Sequence, residues 1–158
     1  MFRTAATSKR IKVQAPSGED ASRPLVLFVC VHNAGRSLMA EAIFNDLARG
    51  RYRALSAGTE PADRPHPEVV TAMAEAGYEL EERPGNLLTP QLADSAVRVV
   101  GMGCAVEEAC PALTVPLDDW ELADPKGKPA AEVAEIRDEI ERRVRNLVAE
   151  LDRALAQD

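Results

Sequence analysis

The apolar positions of this chain change period several times, and the changes mark its elements. Leu25 to Cys30, LVLFVC, is an unbroken apolar run, as expected for a parallel strand covered on both faces. At Arg36 it gives way to a helical spacing, Leu38, Ala42, Ile43, Leu47 and Ala48, that stops at Gly50. YRALSAG, ending at Gly58, predicts a second strand. Pro67 to Ala76 predicts a helix, with Pro67 suited to its first turn and Gly77 to its end. TPQLADS predicts a short helix with Thr89 as N-cap and Pro90 at the first helical position. AVRVVGM reads as a third strand and LTVPL as a short fourth. Val133, Ile136, Ile140, Val144, Leu147, Leu151 and Leu155 then mark one long amphipathic C-terminal helix. This order predicts an α/β fold: a small open sheet of four parallel strands with helices on both faces. In such folds ligands sit at the carboxyl ends of strands, near the point where strand order reverses.

Composition narrows the picture. With 158 residues the chain suits one domain, assigned to residues 24–158. Residues 1–23 are polar and without period, and read as a disordered or loosely attached extension. A second reading makes RIKVQ a short edge strand. The net charge of -7 argues against nucleic-acid or anionic-membrane partners. The longest apolar run, Leu25 to Val31, is too short to span a bilayer, and the N-terminus has no apolar run of secretory length, so a cytoplasmic protein is expected. Three cysteines do not form a secreted disulfide framework. In a reducing compartment each is therefore packing or chemistry.

The chemistry concentrates in CVHNAGRS, Cys30 to Ser37, the loop between the first strand and its helix. Such a loop points several backbone N–H groups at one spot, and the helix dipole adds partial positive charge there. Val31, His32, Asn33, Ala34, Gly35, Arg36 and Ser37 are thus candidates for holding an oxyanion. Gly35 allows a tight turn, Asn33 spans the loop, and the planar fork of Arg36 grips two oxygens of a tetrahedral anion. The same donors, with the Ser37 hydroxyl, stabilise a thiolate at Cys30, preloading a nucleophile under the bound anion. For a lone Cys-x5-Arg, a strand-end cysteine and a solvent-facing arginine would be the better account. Here the cysteine ends an apolar strand and GRS opens a helix, the context the chemistry requires.

CVHNAGRSLMAEA resembles the phosphate-binding loop of the low-molecular-weight protein tyrosine phosphatase superfamily, which shares Cys-x-x-Asn-x-x-Arg-Ser. SAGTE, Ser56 to Glu60, is similar to its second-strand motif. Two further cysteines refine the likeness. Cys104 ends the third strand in GMGCAVEEACP, on the same sheet edge as Cys30, and Cys110 lies beyond a stretch able to form a short helix. With both present, the chain resembles the thioredoxin-coupled arsenate reductases of that superfamily over about residues 24–150, most specifically in CVHNAGRS, MGCAVEEACP and DDWELADPKGK.

That resemblance implies roles. Cys30 attacks arsenic and Arg36 holds the oxyanion. Cys104 then attacks Cys30 and releases arsenite, and Cys110 attacks Cys104, leaving a Cys104–Cys110 disulfide for thioredoxin. No bound cofactor is implied, only an external thiol reductant, thioredoxin or, as in related enzymes, mycothiol. Asp124, before Pro125, matches the family's general acid, since displacing hydroxide from arsenate needs a proton on the departing oxygen. Asp118 and Asp119 read as turn residues, His32 as a loop residue, and His66 as lying near the start of a helix.

The departures are specific. Lys126 and Gly127 follow Asp-Pro where the phosphatases carry tyrosines, which removes an aromatic wall. Gly35 stands where some reductases place a cysteine. Some reductases also bind potassium beside the loop. Asn33, Glu41 and Ser56 match parts of that site, but Asn86 stands where an aspartate is expected, and no metal is assigned. Two other functions use subsets of these residues. A phosphatase acting on phosphotyrosine or a small phosphate ester needs Cys30, Arg36 and Asp124. A non-enzymatic module sensing arsenite or oxidants needs only the cysteines.

Overall fold

The structure, a computed structural model, describes residues 9–11, 22–104 and 106–156. Strand β1 (Lys9–Ile11) is followed by β2 (Leu25–Cys30), α1 (Arg36–Ala48), β3 (Arg53–Gly58), α2 (Pro67–Glu75) and β4 (Tyr78–Leu80). Then come α3 (Pro90–Asp94), β5 (Arg98–Gly101), α4 (Val106–Ala109), β6 (Leu117–Asp119) and α5 (Ala130–Ala156).

The main sheet has strand order β3-β2-β5-β6, every pair parallel. Chain order runs outward from β2 in one direction and then in the other, so the order reverses at β2. Cys30, its last residue, stands at that reversal point.

All six residues of β2 are buried, which is why its sequence is continuously apolar rather than alternating. Its alternate side chains enter different cores. Val26, Phe28 and Cys30 join the face covered by α1, α2 and α5, with Phe44, Val69, Met73, Ile140 and Val144. Leu25, Leu27 and Val29 join the face covered by α3 and α4, with Leu88, Ala93, Val106 and Cys110. Phe28 anchors the first core, its ring 5.8 Å from those of Phe44 and Trp120. Ile140 is fully buried on α5; replacing it by Ala would cost about 2–5 kcal/mol through lost burial and the cavity left behind.

Most elements fall where the apolar periods place them. Thr89 caps α3, its hydroxyl accepting from the Leu92 N–H at 3.1 Å. Helix α1 ends through left-handed backbone at Arg49 (φ 53°) and Gly50 (φ 83°). The last strand differs. LTVPL contributes only Leu117, because Pro116 has no N–H to give a ladder; the Pro116 carbonyl accepts from Val99 N at 3.0 Å, and pairing continues through Asp119. Asp118 and Asp119 are consequently strand residues rather than turn residues, and Asp118 pairs with Arg98 at 2.9 Å.

Strand β4, only three residues, was too short to show a period. It pairs in parallel with β1, Lys9 opposite Tyr78 and Ile11 opposite Leu80. The edge-strand reading of RIKVQ overlaps β1 at Arg10 and Ile11, and its residues 12–14 lie outside the described residues. Arg23, at the end of the expected extension, is tied to the body: its carbonyl accepts from Arg53 Nε at 3.3 Å.

Candidate active site

The loop from Val31 to Gly35 is held from outside by its carbonyls. Thr59 N donates to Cys30 O (3.3 Å), Glu60 N to Val31 O (2.7 Å), Ala62 N to His32 O (2.9 Å) and His66 N to Ala34 O (2.9 Å). In a planar trans peptide the following N–H points opposite to its carbonyl. The N–H groups of Val31, His32, Asn33 and Gly35 are therefore turned to the inside of the loop, where an oxyanion would sit. Cys30, Arg36 and Ser37 join them from the end of β2 and the first turn of α1.

Side chains fix this shape. Asn33 takes left-handed backbone (φ 51°), a conformation asparagine tolerates better than most residues. Its Nδ2 donates to Ser37 Oγ at 2.8 Å, and its Oδ1 accepts from the Asn86 N–H at 2.8 Å. Ser37 Oγ lies 2.9 Å from Cys30 Sγ. Because that hydroxyl already accepts from Asn33, its own proton is available to the sulfur. The Ser37 oxygen thus carries the Asn33 contact through to the nucleophile.

Gly35, at the N-cap of α1 with φ -141° and ψ -98°, also makes room for a neighbouring loop. A Cβ there would lie 3.1 Å from Pro125 Cγ and 3.3 Å from His66 Cδ2, so glycine allows the Asp124–Pro125 loop to close over the anion loop. Asp124 is exposed at this mouth, with Oδ2 3.9 Å from Arg36 Nη2 and Oδ1 accepting from Lys126 N at 3.0 Å.

Arg36 is buried. Its Nη1 donates to the Leu122 carbonyl at 3.1 Å, while Nε is buried and, among the described residues, has no hydrogen-bond partner. It also rests on Gly103 (φ 87°), where a Cβ would come within 2.5 Å of Nη1. One guanidinium thereby touches the segment that carries Asp124 and the one that carries Cys104.

The other two cysteines occupy different environments. Cys104 is half-buried, and its thiol donates to the Val29 carbonyl at 3.4 Å, an oxygen that also accepts from Met102 N at 2.8 Å. Burial pushes its pKa up to about 11, with Cys30 and Asp119 adding to the shift and the Met102 backbone and Arg36 opposing it. Cys110 is buried in the second core, below α4, and burial followed by Asp94 raises its pKa as well. Both are free thiols, as is Cys30. Cys30 lies in the core under α1, α2 and α5, whereas Cys110, beyond the short helix as expected, is buried in the other core, against which Cys104 also packs.

Sequence reasoning missed four contributors. Gly103 and the Leu122 carbonyl act through backbone, which leaves no side-chain signal. His66 occupies the N-cap position of α2 and stands T-shaped to His32 with ring centroids 6.4 Å apart, beside Gly35. Burial lowers the His66 pKa, opposed by Glu68 and Asp124. The fourth is Arg83, in the RPGN turn: its Nη2 lies 4.0 Å from Glu41 Oε1. Glu41 is fully buried on α1 and accepts from the Ser56 hydroxyl. Burial pushes its carboxyl up to about 8, with the Ser56 hydrogen bond and the Arg83 charge pulling against that.

Residues 25–157 match the family described as low molecular weight phosphotyrosine protein phosphatase. The chain belongs to that family. Within it, the chain is similar to proteins named for arsenate reduction. It is 45% identical over 132 residues to one from Halobacterium salinarum, covering 79% of this chain and 91% of that one. It superposes on the thioredoxin-dependent arsenate reductase of Corynebacterium glutamicum with TM-score 0.72 and 34% identity, covering 84% of this chain and 63% of that longer one. A third structure, an arsenate reductase in the phosphate binding state, gives TM-score 0.69 and 30% identity over 80% of this chain and 98% of its own. Among the described residues, no helix is long and apolar enough to cross a membrane.

Proposed function

We propose that this chain reduces arsenate to arsenite through a cysteine relay. The Cys30 thiolate attacks arsenic and displaces one oxygen, which leaves as water after taking a proton from Asp124. The inward N–H groups and the Arg36 guanidinium hold the remaining oxygens, and an oxyanion there gives the orphaned Arg36 Nε an acceptor. Cys104 then attacks Cys30 Sγ. As the S–S bond forms, the S–As bond breaks and its electron pair stays on arsenic, which leaves as arsenite. Cys110 attacks Cys104, freeing the Cys30 thiolate, and an external dithiol reduces the Cys104–Cys110 disulfide.

One observation carries the choice of reductase over phosphatase: the Cys104 thiol is bonded to the carbonyl of Val29, the residue before Cys30, while Gly103 packs on Arg36. A phosphatase has no use for a second thiol at that point, and a passive arsenite sensor has no use for Asp124 at the mouth. The Corynebacterium glutamicum neighbour, named as thioredoxin-dependent, supports thioredoxin as the reductant, and the low-molecular-weight thiol mycothiol is the competitor. The test is arsenate turnover with thioredoxin, thioredoxin reductase and a nicotinamide donor, beside a mycothiol system. Turnover in the first supports the proposal. Phosphate-ester hydrolysis with no arsenate turnover in either would contradict it.

A further inference from the structure

The resemblance to potassium-binding reductases points to Asn33, Glu41 and Ser56, and the residues of this chain do not fit such an ion. A cation already faces Glu41, since the Arg83 guanidinium stands 4.0 Å from its Oε1, and burial pushes that carboxyl toward its neutral form. The Ser56 hydroxyl donates to Glu41, and Asn33 Oδ1 is engaged by the Asn86 N–H at 2.8 Å. Asn86 brings an amide rather than a carboxylate: its Nδ2 donates to the Ser56 carbonyl at 2.9 Å, and its Oδ1 lies 3.5 Å from Arg83 Nη1. A potassium ion here would add a second positive charge opposite one buried acid, with one fewer anionic ligand to offset its desolvation.

Arg83 is tied to the anion loop as well as to Glu41. Its Nη1 donates to the Pro84 carbonyl at 2.9 Å, shaping the turn that carries Asn86. A Cβ on Gly85 would lie 3.0 Å from Asn33 Cβ and 3.1 Å from the His32 carbonyl, so this turn rests directly on the loop. The Arg83 Nε and Nη2 atoms are buried and have no hydrogen-bond partner among the described residues. The guanidinium is therefore anchored through Nη1 alone, and its Nε and Nη2 edge is turned toward Glu41.

We propose that Arg83 is a positioning residue standing in for the cation: its guanidinium faces Glu41 and holds the Glu41–Ser56–Asn86–Asn33 network that shapes the anion loop, so the loop needs no monovalent ion. Asn33 passes this order to Ser37 and thence to Cys30. The proposal deepens the reading of residues 30–37 as an anion loop.

The test compares the full chain with Arg83→Gln and Arg83→Lys in KCl and in choline chloride at equal ionic strength. Melting temperature reads the cation directly, and calorimetric titration with inorganic phosphate reads the loop. Neither readout involves arsenate, so this inference and the reductase proposal fail separately. Wild type should melt within about 1 °C and bind phosphate within about twofold in the two salts, and Arg83→Lys should follow it. Arg83→Gln should bind phosphate about 5- to 20-fold more weakly in choline, with affinity recovered and melting raised by about 3–6 °C in KCl. Potassium-specific stabilisation of wild type would overturn the proposal, as would an Arg83→Gln variant indifferent to the salt. If Arg83→Gln does not fold, the wild-type comparison decides alone.

Discussion

Two thiols flank a single carbonyl, that of Val29, and the protein treats them differently. Cys30 follows Val29 in β2 and receives the Ser37 hydroxyl, itself held by Asn33, which is held by Asn86. Cys104 approaches the same carbonyl from the end of β5, yet there its thiol acts as the donor, and burial pushes its pKa up to about 11. Cys110 is buried in the core that holds Leu25, Leu27 and Val106, against which Cys104 also packs. The first region is preset for attack, whereas the second is stored as packing. A nucleophile has to be ready when substrate arrives, but a resolving thiol that is always exposed would be open to oxidation out of turn. On the proposed relay, Cys104 and Cys110 would have to come together across α4, the four-residue helix between them.

Removing the preset side should have the largest effect. Cys30→Ser should abolish arsenate reduction and phosphate-ester hydrolysis alike, because a neutral hydroxyl is a far weaker nucleophile than a thiolate. Arg36→Lys should cripple both, since a point charge does not replace the bidentate fork. Substantial turnover by either variant would move the active site elsewhere.

Asp124→Asn comes next, with turnover lowered by about two to four orders of magnitude, the usual effect of losing a general acid. Unchanged turnover would leave Asp124 as the turn residue its bond to Lys126 N already makes it.

Gly103→Ala probes the contact between the two regions. The added methyl meets Arg36 at a left-handed backbone position, and should lower turnover by about 10- to 100-fold through displacement of the guanidinium. A change in stability alone, with turnover intact, would separate the two regions.

The stored side is sharpened by pH. An unfolded cysteine loses its proton near its model value of 9.0, while folded Cys104 keeps it until about 11. Its contribution to stability is thus present below 9 and lost as pH rises through 11. Reduced wild type should lose stability over that window more steeply than Cys104→Ser, as read by denaturant melts. Equal slopes would mean that Cys104 is solvated. The smallest effect is expected from a chain beginning at Ser22, which loses the pairing of β1 with β4. Turnover should stay within about twofold, with melting lowered by a few degrees. A drop of many degrees would make residues 1–21 part of the packed domain.

Much of this was legible in the sequence, for physical reasons. Continuous burial made LVLFVC readable as a central parallel strand, and the strand–loop–helix context gave CVHNAGRS its meaning. The amphipathic period of α5 marked a helix that the structure places at Ala130–Ala156. Other features were hidden because they depend on backbone or on distant partners. Pro116 shifted β6 toward Asp118 and Asp119. Gly35 turned out to make room for Pro125, and nothing in GRS announces a contact 90 residues away. Arg83 faces Glu41 across 42 positions of sequence, too far for any local pattern. The side that Cys110 faces was equally unreadable, because four helical residues and a turn can deliver a side chain to either face of a sheet.

The central claim is that oxidation passes from the preset thiol to the stored pair. Peptide mapping after one equivalent of arsenate and an acid quench tests it most directly. Wild-type protein should show a Cys104–Cys110 disulfide with Cys30 free, and Cys110→Ser should stop at a Cys30–Cys104 disulfide after one round of arsenite release. Arsenite formed with all three cysteines of the wild type still reduced, or sustained thioredoxin-dependent turnover by Cys110→Ser at the wild-type rate, would contradict it.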